Sequence, residues 1–404
     1  MKDKKILVTG ASIAGPTVAY WLNRYGFKVT VVERDPELRL GGQNLDVKGP
    51  AQVIASKMGI EEIIRERNTT EVGLRFVDTD NKTVAEFPKE SSFSMTQELE
   101  ILRGDLVQIL YDQTKNDVTY RFGEYIKELK QQEHGIDVTF SSDKSELFDL
   151  VIIAEGIGSH TRKLAFQNKP EFKYLGLYTA YLTISKSPTD SSWARWCNAE
   201  NGIVFMFRPD NYGTTRASVT FTAKEDEYKG LTLDEQKIGI IDRIKGSGWE
   251  SERLIKEISG TSDLYFERVS QVKASKFSEG RVVMIGDAAY CATPIAGKGT
   301  DLAMSGAYIL AGELYAAKNY QEAFDAYENK MQPYVKECQS LPPGVPKLVY
   351  PQSKVGLGIL NGLFSVVGSK PAKWFMGLFA GKKTTPKLDI ILPNYEDDKI
   401  NKRL

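Results

Sequence analysis

The stretch 7-LVTGASIAGPTVAY-20 limits what this chain can fold into more than any other. Strand-forming residues run from Lys5 to Thr9, a glycine turn follows, and a helical pattern from about Pro16 to Tyr25 is closed by Gly26. The run 27-FKVTVVER-34 reads as a second strand, so the first 34 residues form a βαβ unit with parallel strands. In 10-GASIAG-15, Gly10 permits the tight turn after the strand and Gly15 permits close helix-strand packing. Ser12, followed by Ile13 and Ala14, is small enough to let the backbone approach a pyrophosphate on the helix N-terminus. Glu33 ends the second strand about 20 residues onward, where a carboxylate accepts hydrogen bonds from an adenosine ribose, and Arg34 lies beside it. Strand, loop, helix, strand and acid together predict a dinucleotide site.

Several function classes drop out on composition. Lys plus Arg and Asp plus Glu both number 53, so no net field favours nucleic acid. Cys197, Cys291 and Cys338 are far apart and lack CxxC spacing, which fits a reducing compartment, and no signal-peptide pattern opens the chain. The cytoplasm is the expected location. His134 and His160 lie in polar settings with no ligand-like neighbours, which argues against a metal site or a His-based triad. If such a chain is an enzyme, something other than its side chains does the hard chemistry.

With 404 residues, the chain has room for two or three domains. A helix is expected near 50–60, a hairpin over 72–87 around Asp80-Asn81-Lys82, and a helix after Ile101. From about Glu171 to Lys276 strand-forming runs dominate, broken by a helix near 234–246; 281-RVVMIGDAAY-290 then resumes the first domain, and 300–317 is a strong helix. The expected division is 1–71 with 100–170 and 281–320 for the nucleotide domain, 72–99 with 171–280 for a β-rich substrate domain, and 321–404 for C-terminal helices. The tail 355–383 is apolar, but Lys370 and Pro371 interrupt it before the roughly 20 residues a bilayer needs. A helix pair packed on the body is expected there, and a membrane-surface helix anchored by Lys370, Lys373, Lys382 and Lys383 is the alternative.

A second glycine-rich motif, 286-GDAAYCATPIAGKGTDLAMSGA-307, follows a strand and opens a helix. Gly297, Gly299 and the Thr300 amide would lie at that helix N-terminus, where the macrodipole favours negative charge. Between the two motifs lie 102-LRGDL-106 and 155-EGIGSHTR-162. In order and spacing, across residues 10–307, these segments resemble the class A flavoprotein monooxygenases, the para-hydroxybenzoate hydroxylase-like family. Within it, 41-GGQNLDVKG-49, 101-ILRGDLVQIL-110 and residues 286–314 are most similar to the tetracycline-inactivating branch.

The resemblance implies an α/β chain with a Rossmann-like FAD-binding domain of the glutathione reductase and hydroxybenzoate hydroxylase type, a β-rich substrate domain, and a C-terminal helical segment capping the site. It implies resident FAD, contacted by Asp287 at its ribose, by Arg103, by Asp46 in the first glycine-rich loop after Glu33, and by Gly156, Ser159 and Arg162. Glu155 stands where the family usually has Asp, and Lys298 and Asp301 where it commonly has Gln and Asn. Asp301 beside an anionic flavin is tolerable if it caps a helix and points away. The implied reaction is hydroxylation of a phenolic or enolic polycyclic aromatic or polyketide, a tetracycline-type antibiotic among them, using NAD(P)H and O2 through a flavin C4a-hydroperoxide, in a monomer or homodimer. Tyr178, Phe205, Phe207, Phe221 and Pro294 are the candidate pocket residues, and Arg208 and Arg216 could meet an anionic substrate oxygen. Two other readings are a geranylgeranyl-reductase-like FAD enzyme acting on an apolar chain and a flavin-free lipid carrier. A short-chain dehydrogenase is disfavoured: its glycine spacing differs, and YxxxK occurs only as Tyr350 and Lys354.

Overall fold

A computed structural model describes residues 3–89, 98–341, 344–345, 348–368 and 390–395. The chain opens with β1 (Lys5–Thr9), α1 (Ala14–Arg24) and β2 (Lys28–Glu33), and β1 and β2 pair in parallel. Helix α1 starts two residues before Pro16, which leaves the proline inside the first turn, where its missing N–H costs nothing. Next come β3 (Asn44–Asp46), α2 (Pro50–Lys57) and α3 (Glu61–Glu66). The hairpin β4 (Gly73–Val77) and β5 (Thr83–Pro88) turns at Asn81, whose φ of 63° is one that asparagine tolerates.

β6 (Glu100–Leu102) leads into α4 (Arg103–Asp112), and then come β7 (Thr119–Phe122), β8 (Ile126–Gln132), β9 (Gly135–Phe140), β10 (Ser145–Phe148) and β11 (Leu150–Ile153). After α5 (Thr161–Ala165) the β-rich stretch holds β12 (Glu171–Ser185), β13 (Trp193–Ala199), β14 (Ile203–Pro209) and β15 (Thr214–Thr222). It is interrupted by two helices, where the sequence pattern suggested one: α6 (Leu233–Ile244) and α7 (Ser251–Gly260). Leu254 and Ile258, four apart and both buried, are the helical signal in the second. β16 (Leu264–Lys273), β17 (Ser278–Glu279) and β18 (Val282–Met284) follow, then α8 (Asp287–Tyr290), α9 (Gly299–Ala316), α10 (Tyr320–Cys338) and α11 (Lys354–Gly368).

Two sheets organise the molecule. One has the order β17-β18-β11-β1-β2-β7, with β18, β11, β1, β2 and β7 parallel. Its central strands are buried on both faces, by α1 and α9 on one side and by the β8–β10 meander on the other, which is why they read as unbroken apolar runs. The other sheet has the order β16-β12-β15-β14-β13-β4-β5 and carries α6 and α7 on one face. Strict alternation along β15 shows two unlike faces.

The C-terminal residues fold back onto both bodies. Tyr395 packs where Gly312 of α9 leaves no room for a Cβ, and its hydroxyl donates to Glu313. Phe364 of α11 stacks on Phe76 of β4 at 4.0 Å between ring centroids. Lys370, Lys373, Lys382 and Lys383, the proposed surface anchors, lie outside the described residues. Among the described residues no helix is long and apolar enough to cross a membrane.

Candidate active site

The first glycine loop is built by steric exclusion. Gly10 adopts φ +99°, and a Cβ there would lie 2.5 Å from the Ala154 carbonyl oxygen at the end of β11. A Cβ on Gly15 would lie 1.8 Å from the Gly10 carbonyl oxygen, so only glycine lets α1 start hard against the turn. Ile13 precedes that helix, no side chain caps it, and its first turn, beginning at Ala14, contains no acid. Its leading N–H groups and positive dipole end are therefore available to an anion. Glu33 closes over the same loop: its carboxylate accepts from the Ala11 amide at 2.8 Å and from the Asp35 amide at 3.1 Å. Arg34 beside it is exposed.

A second helix N-terminus converges on the first. Gly286 takes φ +60° between α1 and α9, where a Cβ would lie 3.3 Å from that of Ala14 and 3.9 Å from that of Ala303. Asp287 comes next; burial pushes its carboxyl up, and a hydrogen bond from Cys291 opposes the shift. Pro294 opens a short 3-10 turn, Gly297 is left-handed at φ +58°, and α9 begins at Gly299 with no side-chain cap. Thr300 is half-buried in its first turn, while Pro294, Gly297 and Gly299 are exposed. A Cβ on Gly299 would meet no atom within 4 Å, and its φ is not in the left-handed region. Nothing inside the protein requires glycine there, and the space over the loop is open. The groups present, two uncapped helix ends and a half-buried carboxyl between them, fit a dinucleotide that carries a second anionic ring system.

The intermediate motifs brace these loops. Arg103 donates to Ser12 Oγ at 3.1 Å, to the Arg39 carbonyl at 2.6 Å and to the Gly41 carbonyl; burial lowers its pKa. A Cβ on Gly42 would collide with Arg103 Nε at 2.5 Å, so that loop wraps the guanidinium. Asp46 is brought close by the β3–β6 pairing and holds Lys48 at 3.1 Å. Gly156 takes φ +75°. Glu155, in place of the usual Asp, accepts from Ser159 Oγ at 2.7 Å, the Thr161 amide at 2.9 Å and Thr161 Oγ1, so it orders the turn into α5. Arg162 is buried and donates to the carbonyls of Ala288 and Ile157, both at 2.7 Å, which ties this turn to the Asp287 turn.

The pocket candidates on the seven-stranded sheet need correction. Tyr178, Phe205, Phe207 and Phe221 all point to the face covered by α6 and α7, where they pack with Ile240, Ile244, Leu254 and Ile258. They are core residues. Large apolar side chains have the wrong parity for a pocket here, because a sheet with one helix-covered face buries its most apolar residues there. The opposite face carries Tyr181, Thr183, Trp196, Met206 and Arg216, and it meets the Gly42 loop and the loop before α9. Arg216 donates to the Gly42 carbonyl at 3.3 Å, and Ile295, next to Pro294, packs against Leu177, Val204 and Tyr350. Greater polarity on alternate positions was the signal that could have found this face.

The two strand arginines divide. Arg208 is locked between Glu71, at 2.8 Å, and Glu100; burial alone would lower its pKa, and the two carboxylates outweigh that and raise it. It joins the two bodies and is not available to a substrate. Arg216 is held by Asp210 at 3.0 Å and Thr183 Oγ1 at 2.7 Å, on the inner face. Glu267, absent from the sequence-level candidates, lies on β16 opposite Thr179 and accepts from Tyr265 Oη at 2.8 Å. Burial pushes its carboxyl up to about 7, with the Tyr265 bond opposing and the Asp287 charge adding.

Comparison with known proteins agrees with this geometry. The family model described as an FAD binding domain matches residues 3–340. A flavin-dependent monooxygenase of Legionella longbeachae is 38% identical over 341 residues, covering 84% of this chain and 87% of the relative. The crystal structure of tetracycline destructase Tet(51) aligns with 98% of this chain and 100% of its own, at 33% identity and TM-score 0.79; that of Tet(55) aligns over the same shares at 30% identity and TM-score 0.81. Fold, glycine loops and relatives agree: the chain belongs to the FAD-binding family of flavin-dependent monooxygenases, and FAD is its cofactor.

Proposed function

We propose that this enzyme uses NADH or NADPH to hydroxylate a phenolic or enolic polycycle, such as a tetracycline-type polyketide, on the inner face of the seven-stranded sheet. The observation that carries the reading is the parity of that sheet: one face is closed by helices, and the other carries Tyr181, Trp196, Met206 and Arg216, with Trp196 and Ile295 of the loop before α9 packed on one cluster and Arg216 donating to the Gly42 carbonyl. The solved tetracycline destructases, alike along almost the whole chain, support the substrate class.

In this reading residues 1–71, 100–170 and 281–320 hold the cofactor, 72–99 and 171–280 hold the substrate, and the C-terminal helices close the site. Gly10, Ser12, Ile13, Ala14 and Gly15 bring the N-terminus of α1 to the pyrophosphate, Glu33 and Arg34 border the adenosine, and Asp287 takes the ribose-side hydroxyls. Arg103 fixes Ser12 and the Gly42 loop; Asp46 and Gly156 border the same space; and Pro294, Gly297, Gly299 and Thr300 face the ring system. FAD, when bound, supplies the redox and oxygen chemistry.

The chain's own residues do the remaining work. Trp196, Met206 and Tyr181 give an aromatic and thioether wall that excludes water and grips a planar substrate. Arg216, immobilised by its ion pair with Asp210 and by Thr183, offers oriented guanidinium N–H donors to an enolate or phenolate oxygen. Glu267 can hold or release a proton near neutral pH. The test is a panel of tetracyclines and simple phenols, scored for stimulated NADPH oxidation and a product heavier by one oxygen. Stimulation and product with a polycycle would support the reading; NADPH consumption that yields only hydrogen peroxide across the panel would remove the substrate class.

A further inference from the structure

Asp301 is an acid in the first turn of a helix whose start the proposed function assigns to an electron-rich flavin ring, a position where added negative charge opposes reduction. The structure shows how the chain accommodates it. Asp301 is buried and turned away from the loop opening, and three donors surround its carboxylate: the Ala51 amide at 2.9 Å, Lys298 Nζ at 2.9 Å and Tyr334 Oη at 3.1 Å. Ala51 lies in the first turn of α2, whose preceding residue is Gly49 and which has no side-chain cap of its own. Asp301 therefore caps α2 from a distance, and a single carboxylate joins the starts of two helices and reaches α10 through Tyr334.

Its partner Lys298 lies between Gly297 and Gly299, the two exposed glycines that leave the space over the loop open. A lysine there would by itself add a positive charge close to the ring. Held 2.9 Å from Asp301, it does not: the ion pair carries no net charge. Resting on the proposed cofactor placement, we propose that Asp301 is a positioning residue that pins and neutralises Lys298, and that this couple holds the reduction potential of bound FAD below the value an uncompensated lysine would set. The neutral amide usual at this position in the family would leave the lysine's charge exposed to the flavin.

The experiment measures the two-electron midpoint potential of bound FAD by dye equilibration, together with FAD affinity by fluorescence, in the wild type, Asp301→Asn, Lys298→Met and the double variant. Asn can still accept from the Ala51 amide while losing its charge, so it separates neutralisation from the tie between helices. Asp301→Asn should increase the preference for reduced over oxidised flavin about tenfold, a positive shift of about 30 mV for a two-electron couple. Lys298→Met, which leaves Asp301 uncompensated, should shift the potential negative, and the double variant should return near the wild type. An unchanged or lowered potential in Asp301→Asn overturns the proposal, and so does an unchanged potential in Lys298→Met, which does not disturb Ala51 or Tyr334. Failure of the wild type to take up FAD would instead overturn the cofactor placement on which the proposal rests.

Discussion

Gly15 and Gly299 are both glycines at helix starts, and the structure gives them opposite reasons. Gly15 is required by the protein, because an added methyl would lie 1.8 Å from a backbone oxygen; Gly299 has open space around it. Gly15→Ala should destabilise the chain with or without cofactor. Gly299→Ala should leave the melting temperature of the flavin-free protein unchanged or slightly higher, since Ala is better in a helix by roughly 0.5–1 kcal/mol. Its FAD affinity, read by quenching of flavin fluorescence, should nevertheless fall at least about tenfold, worth roughly 1.4 kcal/mol. Glu267 gives a second prediction at this scale. The folded chain retains a proton that the unfolded chain releases between the ordinary value of 4.5 and about 7, so Glu267 lowers stability progressively as pH rises through that window. Glu267→Gln should flatten this dependence and stabilise the protein at pH 7.5 by on the order of 1–3 kcal/mol. Denaturant melts at pH 5 and 7.5 read it directly.

Elements explain what the sequence could and could not reveal. The βαβ opening and the Asp287 turn were legible because glycine, small residues and a carboxylate at fixed offsets answer to local backbone geometry, which survives without knowledge of the rest of the chain. The face of a strand is set by what packs on it, and α7, hidden within a β-rich texture, adds Leu254 and Ile258 to the cluster that holds Phe205 and Phe207. That is why Tyr178, Phe205, Phe207 and Phe221, pocket residues on sequence pattern alone, belong to the core. The correction has a measurable consequence. Phe205→Ala should cost about 3–5 kcal/mol of stability. Met206→Ala, one residue along and on the other face, should cost about 1–2 kcal/mol at this half-buried site, yet should raise the KM for a stimulating polycycle severalfold. Urea melts and steady-state NADPH oxidation separate the two outcomes. Asp301, in contrast, was legible as an anomaly, but its partners Ala51 and Tyr334 come from elements 250 and 33 residues away.

At the scale of the whole molecule, the proposed function requires two sheets to hold a fixed distance, so that a substrate on one meets a cofactor on the other. The buried triad Glu71, Arg208 and Glu100 spans that junction: Glu100 begins β6, beside the Arg103 helix, and Arg208 belongs to β14. Burial raises the Glu100 carboxyl, Arg208 opposes this and Glu71 adds to it, so loss of the arginine leaves two buried acids in conflict. Arg208→Met should therefore destabilise by about 3–5 kcal/mol and increase the share of NADPH electrons lost to hydrogen peroxide, which a peroxide assay on the folded fraction measures. The account as a whole depends on the convergence of the α1 and α9 N-termini around one FAD. Titration of flavin-free protein with FAD, followed by fluorescence and visible absorbance, tests this most directly. The account predicts saturation at one FAD per chain, with much weaker uptake by Gly299→Ala and Asp287→Ala; uptake that neither substitution alters, or no uptake by the wild type, would contradict it.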